Sequence, residues 1–139
     1  MPRIAAIDFG SKRIGIALSD ERQKIAFPHE TVEGGKRGVA NTVASLNKKE
    51  GEIEKILVGL PLLMNGERGD MAKLVEAFAK KLEAAMKIPV ILIDERLSSK
   101  MADQRLREVA FNRKERTQRM DTTAAALLLQ SFLDRTQNL

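Results

Sequence analysis

The chain of 139 residues has no cysteine, no tryptophan and no tyrosine. Without thiols, disulfide scaffolds, cysteine nucleophiles, zinc fingers and iron–sulfur centres are excluded. A single histidine, His29, excludes a multi-histidine metal site. Five phenylalanines are the whole aromatic complement, which is little for a protein that reads unpaired bases by stacking. No apolar run approaches the ~18 residues of a membrane-crossing helix. The first residues read as a strand rather than a signal peptide, so a cytoplasmic protein is expected.

What is present fits one ordinary domain over 1–139. Hydrophobic residues make up 43% and charged residues 31%, with a net charge of +5. The positive excess is concentrated. Between Arg96 and Arg119 stand eight bases and three acids, a surplus equal to that of the whole chain. Such a stretch suits a polyanionic partner, and equally a solvated helix face.

Arg3–Phe9 and Arg13–Ser19 read as two strands of a hairpin around Gly10-Ser11-Lys12. Residues 25–32 form a third strand, which Pro28 assigns to a sheet edge. Val39, Val43 and Leu46 mark a first helix. Residues 54–60 are apolar on both faces, as in the centre of a parallel sheet. Asp70 is placed to cap a second helix with Leu74, Ala77, Phe78 and Leu82 inward, and residues 88–93 form another buried strand. A helix from Ser98 or Ser99 to about Phe111, a basic loop over 112–120 and a last helix opened by Asp121 complete the chain. In that last helix Ala124, Ala125, Leu128 and Phe132 turn inward. Strands first, then strand–helix alternation, predict an α/β fold with a mixed sheet flanked by helices.

This topology gathers acids from three separate places: Asp8 ending the first strand, Asp94 and Glu95 ending the fifth, and Asp121. Sites in open α/β sheets form beyond the carboxyl ends of the parallel strands. Carboxylates without thiolate or imidazole suit hard cations, Mg²⁺ or Mn²⁺. Each acid also has a plain structural role, as turn residue, strand-end ion pair or helix cap. The bases Arg113, Lys114, Arg116 and Arg119 directly precede Asp121, where they can anchor phosphates. Gly34-Gly35-Lys36 lacks the spacing of a P-loop.

Four segments in this order, DFGSKRIGIA (8–17), VGLPLLMNG (58–66), DERLSS (94–99) and DTTAAALLLQSFL (121–133), resemble the YqgF/RuvX family over essentially the whole chain. The resemblance implies an RNase H-like five-stranded sheet of order 3-2-1-4-5 with strand 2 antiparallel. It implies a metal-dependent phosphodiesterase with Asp8, Glu95 and Asp121 as catalytic, metal-holding acids. Arg13, Asn65 and Arg96 match motif positions that line such a site, and together with Lys12 they are the expected nucleic-acid contacts there. Two substrates are implied: the precursor of 16S ribosomal RNA, or a branched DNA junction. The protein itself would be a monomer or weak homodimer. One departure stands out. Many RNase H-like nucleases carry an acid at the end of strand four, and here that strand ends Gly59-Leu60-Pro61. Strand five, roughly 10 Å from strand one at ~4.8 Å per strand, must supply it through Glu95, with Asp94 facing the other way. One ion or two both remain open. A noncatalytic nucleic-acid-binding module would also use the basic stretch.

Overall fold

The computed structural model describes residues 2–48, 52–61, 69–94 and 113–137, with side chains of the last stretch described from Ala124 to Thr136. Five strands, β1 (Arg3–Phe9), β2 (Arg13–Ser19), β3 (Ala26–Glu33), β4 (Ile53–Leu60) and β5 (Val90–Asp94), form one sheet in the order β3-β2-β1-β4-β5. β2 runs antiparallel to β1 and β3, and β4 runs parallel to β1 and β5. The mixed α/β sheet and its order match the expectation. Helices α1 (Gly38–Asn47), α2 (Asp70–Met86) and α3 (Arg113–Gln137) accompany it.

Strand alternation sends side chains to two faces, and each face has its own core. On one, Ala5, Ile7, Ile14, Ile16, Ile56 and Val58 pack with Leu46 of α1 and Val75, Phe78 and Leu82 of α2. On the other, Ile4, Ala6, Ala17 and Leu57 pack with Ala125, Leu128, Leu129 and Leu133 of α3. The central strands are therefore apolar on both faces, which is why β1 and β4 read as continuous apolar runs.

The structure revises several local expectations. α2 starts at Asp70, with Gly69 in the capping position and no side-chain cap. Its buried stripe is Ala72, Val75, Phe78, Ala79 and Leu82, while Leu74 is 54% exposed. Two stripes were compatible with helical spacing, and the small Ala72 and Ala79 permit the closer approach to the sheet. β5 is an edge strand with Ile91 and Leu92 on the surface, not a buried one. The last helix begins at Arg113, eight residues before Asp121. Residues 113–120 lack Gly and Pro and are rich in Arg, Lys, Glu, Gln and Met, all good helix formers. The expected helix over 98–111 lies outside the described residues.

Candidate active site

Asp8 is the penultimate residue of β1, partly buried, and pairs in register with Gly15 of β2. Its face follows from its neighbours. Ile4 and Ala6 belong to the core under α3, so Asp8 continues that row toward the carboxyl end of β1. Ile7 pairs with Val58, and one further step along these parallel strands brings Asp8 beside Gly59. The carboxylate thus stands between two buried residues without side chains. Arg13 lies two residues before Gly15 on the same face, the diagonal neighbour of Asp8 across the hairpin.

The turn joining these strands is fixed by backbone packing. A Cβ on Gly10 would stand 2.5 Å from the Arg13 carbonyl oxygen, so only glycine closes the turn this way. Gly10, Ser11, Lys12 and Arg13 line an open depression of about 250 Å³. Lys12 and Arg13 are exposed.

α3 is oriented by contacts at its carboxyl half. Gln130 accepts from the Ala26 N–H at 2.9 Å and donates to the Lys24 carbonyl at 2.9 Å. The Lys55 ammonium, near the start of β4, sits 5.6 Å from the Phe132 ring centroid. The carboxyl half therefore lies over the amino ends of β1 and β4. The helix consequently runs antiparallel to these strands, and its amino half, with Asp121 and the positions of Arg113, Lys114, Arg116 and Arg119, extends toward the Asp8 end.

At β5, Gly59 pairs with Ile93 and Leu60 with Asp94. Ile93 packs against the α3-side core, whereas Val90 and Leu92 line a surface depression with Glu76, Ala79, Lys80 and Glu83 of α2. Alternation assigns Asp94 to the α2 face, away from Asp8. Glu95, Arg96 and Asn65 lie outside the described residues. Among the described residues, no three acids or histidines gather as a metal-holding group. His29 is remote from this end, with Nε2 3.1 Å from the Ser45 carbonyl oxygen. The residues that sequence reasoning passed over are Gly15 and Gly59. Only pairing reveals that both flank Asp8; a glycine inside each strand was the available signal.

A central parallel pair, an antiparallel hairpin and an acid at the end of β1 under a long final helix define the RNase H-like fold of RuvC-type resolvases. Thermus thermophilus RuvC, solved with a Holliday junction substrate, matches with a TM-score of 0.57 over 98% of this chain and 96% of that one, at 16% identity. The fowlpox virus Holliday junction resolvase matches with a TM-score of 0.57 over 96% and 99%, at 12% identity. At these identities the likeness shows the fold alone.

Residues 2–135 match the family model described as RuvX: Holliday junction resolvase. Two relatives carry the name "Putative pre-16S rRNA nuclease". That of Protochlamydia amoebophila is 42% identical over 139 residues, covering 95% of this chain and 93% of the relative. That of Syntrophomonas wolfei is 42% identical over 134 residues, covering 95% and 94%. The chain belongs to the RuvX family.

Proposed function

We propose that this chain is a metal-dependent endonuclease that hydrolyses phosphodiester bonds in structured nucleic acid, acting on the precursor of 16S ribosomal RNA. The observation that carries the reading is the setting of Asp8: a partly buried carboxylate at the carboxyl end of β1, between two glycines. A plain turn residue needs no glycine on either side, whereas a carboxylate that holds a metal-bound phosphate gains room from them. The name of full-length relatives at about 40% identity supports RNA as the substrate.

The donor chemistry fits Mg²⁺ or Mn²⁺. The chain has no thiol, and its one imidazole is engaged elsewhere, which leaves carboxylate oxygens. Asp8, Glu95 and Asp121 would hold the ion. When bound, it would polarise the phosphate and generate hydroxide from water. Arg13, on the Asp8 face, steadies the phosphate, with Lys12 beside it in the turn. Asn65 and Arg96, matched to the family's motifs, are the further residues we assign to substrate contact. Arg113, Lys114, Arg116 and Arg119 bind the backbone further along the substrate. We read 1–139 as one cytoplasmic domain, working as a monomer or weak homodimer. Among the described residues no helix is long and apolar enough to cross a membrane.

The family model's description favours a second substrate, a four-way DNA junction. Symmetric resolution needs two sites and hence a dimer. One gel series separates the readings: wild type and Asp8→Asn with precursor 16S RNA and with a DNA junction, in Mg²⁺, Mn²⁺ or chelator. Metal-dependent cutting of RNA alone, reduced at least about 100-fold in a folded Asp8→Asn protein, is the expected result. Paired symmetric nicks in the junction would transfer the assignment to DNA. Unchanged cutting by Asp8→Asn would remove Asp8 from the site, and binding without any cutting would leave a noncatalytic module.

A further inference from the structure

Outside the 96–119 stretch the chain's positive and negative charges balance, yet they are not evenly spread. At the sheet end that carries Asp8, two loops meet: the β1–β2 turn, and the segment Gly34–Arg37 between β3 and α1. The Gly34 N–H donates to the Lys12 carbonyl at 2.9 Å. A Cβ on Gly34 would stand 2.9 Å from the carbonyl oxygens of both Gly10 and Ser11. Gly34 has φ −90°, open to any residue, so the glycine is required by this backbone contact and not by its conformation. The contact sets two pairs of exposed cations side by side: Lys12 and Arg13, Lys36 and Arg37.

Arg3 and Lys48 pair with Glu21 and Glu30. Among the described residues, no carboxylate lies within ion-pair distance of Lys12, Lys36 or Arg37. Neither Gly10–Arg13 nor Gly34–Arg37 contains an acid; Glu33, opposite Arg13 in the β2–β3 register, adjoins them. Exposed like charges on adjoining segments repel one another. A polyanion removes that repulsion.

We propose that Lys36 and Arg37, together with Lys12, clamp the backbone phosphates of the nucleic-acid strand that runs on from the phosphate at Asp8. This surface rests on the nuclease reading above and extends its substrate path. The strand would leave the Asp8 face over the β1–β2 turn and cross the sheet end to the start of α1. The basic residues 113–119 would then hold the other side of the substrate.

The test measures binding of an RNA hairpin with single-stranded flanks across a salt series, in the Asp8→Asn protein so that nothing is cut. Lys36→Ala/Arg37→Ala is compared with Lys80→Ala/Lys81→Ala, which removes the same charge from exposed positions on α2. Each lost phosphate contact lowers the slope of log K against log salt by about 0.7 to 0.9. The expected result is a drop of about 1.4 to 1.8 for the Lys36/Arg37 pair, with the Lys80/Lys81 pair unchanged. Equal slopes for the two pairs would overturn the clamp, and if Asp8-dependent cutting persists, the nuclease reading stands without it. No binding and no cutting by the wild type would overturn both. A Lys36/Arg37-dependent attachment to anionic phospholipid vesicles that exceeds RNA binding would assign the surface to a membrane instead.

Discussion

Asp8 and Asp20 show how the same side chain acquires different work from its surroundings. Asp20 is exposed in the turn after β2, and its Oδ1 accepts the N–H of Lys24 at 2.7 Å and of Ile25 at 3.0 Å. The Ile25 and Lys24 N–H donors hold its carboxyl below the usual range. The folded chain thus binds this proton less readily than the unfolded chain. The stabilisation is complete above the ordinary Asp value and disappears as pH falls through the lowered one. Asp20→Ala is expected to lower the urea midpoint at neutral pH. The gap to wild type should close on acidification below about pH 4, since the ordinary Asp value is about 3.9. A gap that persists at low pH would show that the turn gains nothing from the charge. Asp8 is placed differently. It lies within a paired strand between two glycines, and none of the local signals around DFG distinguishes that setting from a loop.

At the scale of elements, the phase of α2 is the instructive case. Its sequence offers Leu74, Ala77, Phe78 and Leu82 as one stripe, and Ala72, Val75, Phe78, Ala79 and Leu82 as another. The sheet takes the second, with Phe78 and Leu82 common to both; the Phe78 ring centroid lies 4.8 Å from that of Phe9. Leu82 is fully buried and Leu74 is 54% exposed. Leu82→Ala should therefore cost about 2–5 kcal/mol. Leu74→Ala should change stability by less than about 0.5 kcal/mol. Urea denaturation of the two variants checks this, and comparable losses would return Leu74 to the core. The helix is also tied to the edge strand after it: the Lys87 N–H donates to the Glu83 carbonyl at 2.8 Å, and the Val90 N–H donates to the Glu83 carboxylate at 3.0 Å. α3 begins at Arg113, within the basic run rather than after it. Arg, Lys, Glu and Gln are helix formers, so a basic run with no Gly or Pro can extend a helix as readily as precede one. The four bases and Asp121 consequently share one helix, which fixes their spacing along a single axis.

At the scale of the whole molecule, the proposed function requires residues far apart in sequence to meet at one end of the sheet. An ion that binds only the folded site stabilises the fold by mass action, by about 2.7 kcal/mol at a hundredfold excess over Kd. Mn²⁺ is therefore expected to raise the thermal midpoint of the wild type and to leave Asp8→Asn nearly unshifted. This readout needs no substrate. An equal shift in both proteins would place the ion elsewhere.

The sequence alone settled what depends on local pattern. The bounds of β1 and β2, the edge position of the Pro28 strand, the two-faced apolar character of β4 and the mixed α/β class follow from alternation, run length and turn residues. The motif residues carried the family and, with it, the sheet order. Pairing and facing were decided only in three dimensions, because register, helix phase and loop contact depend on which surfaces exclude water together. The glycines beside Asp8 come from β2 and β4, and the lock between Gly34 and the β1–β2 turn joins segments more than twenty residues apart. No local period encodes either one. Both arise when three strands are brought into register around a shared apolar core.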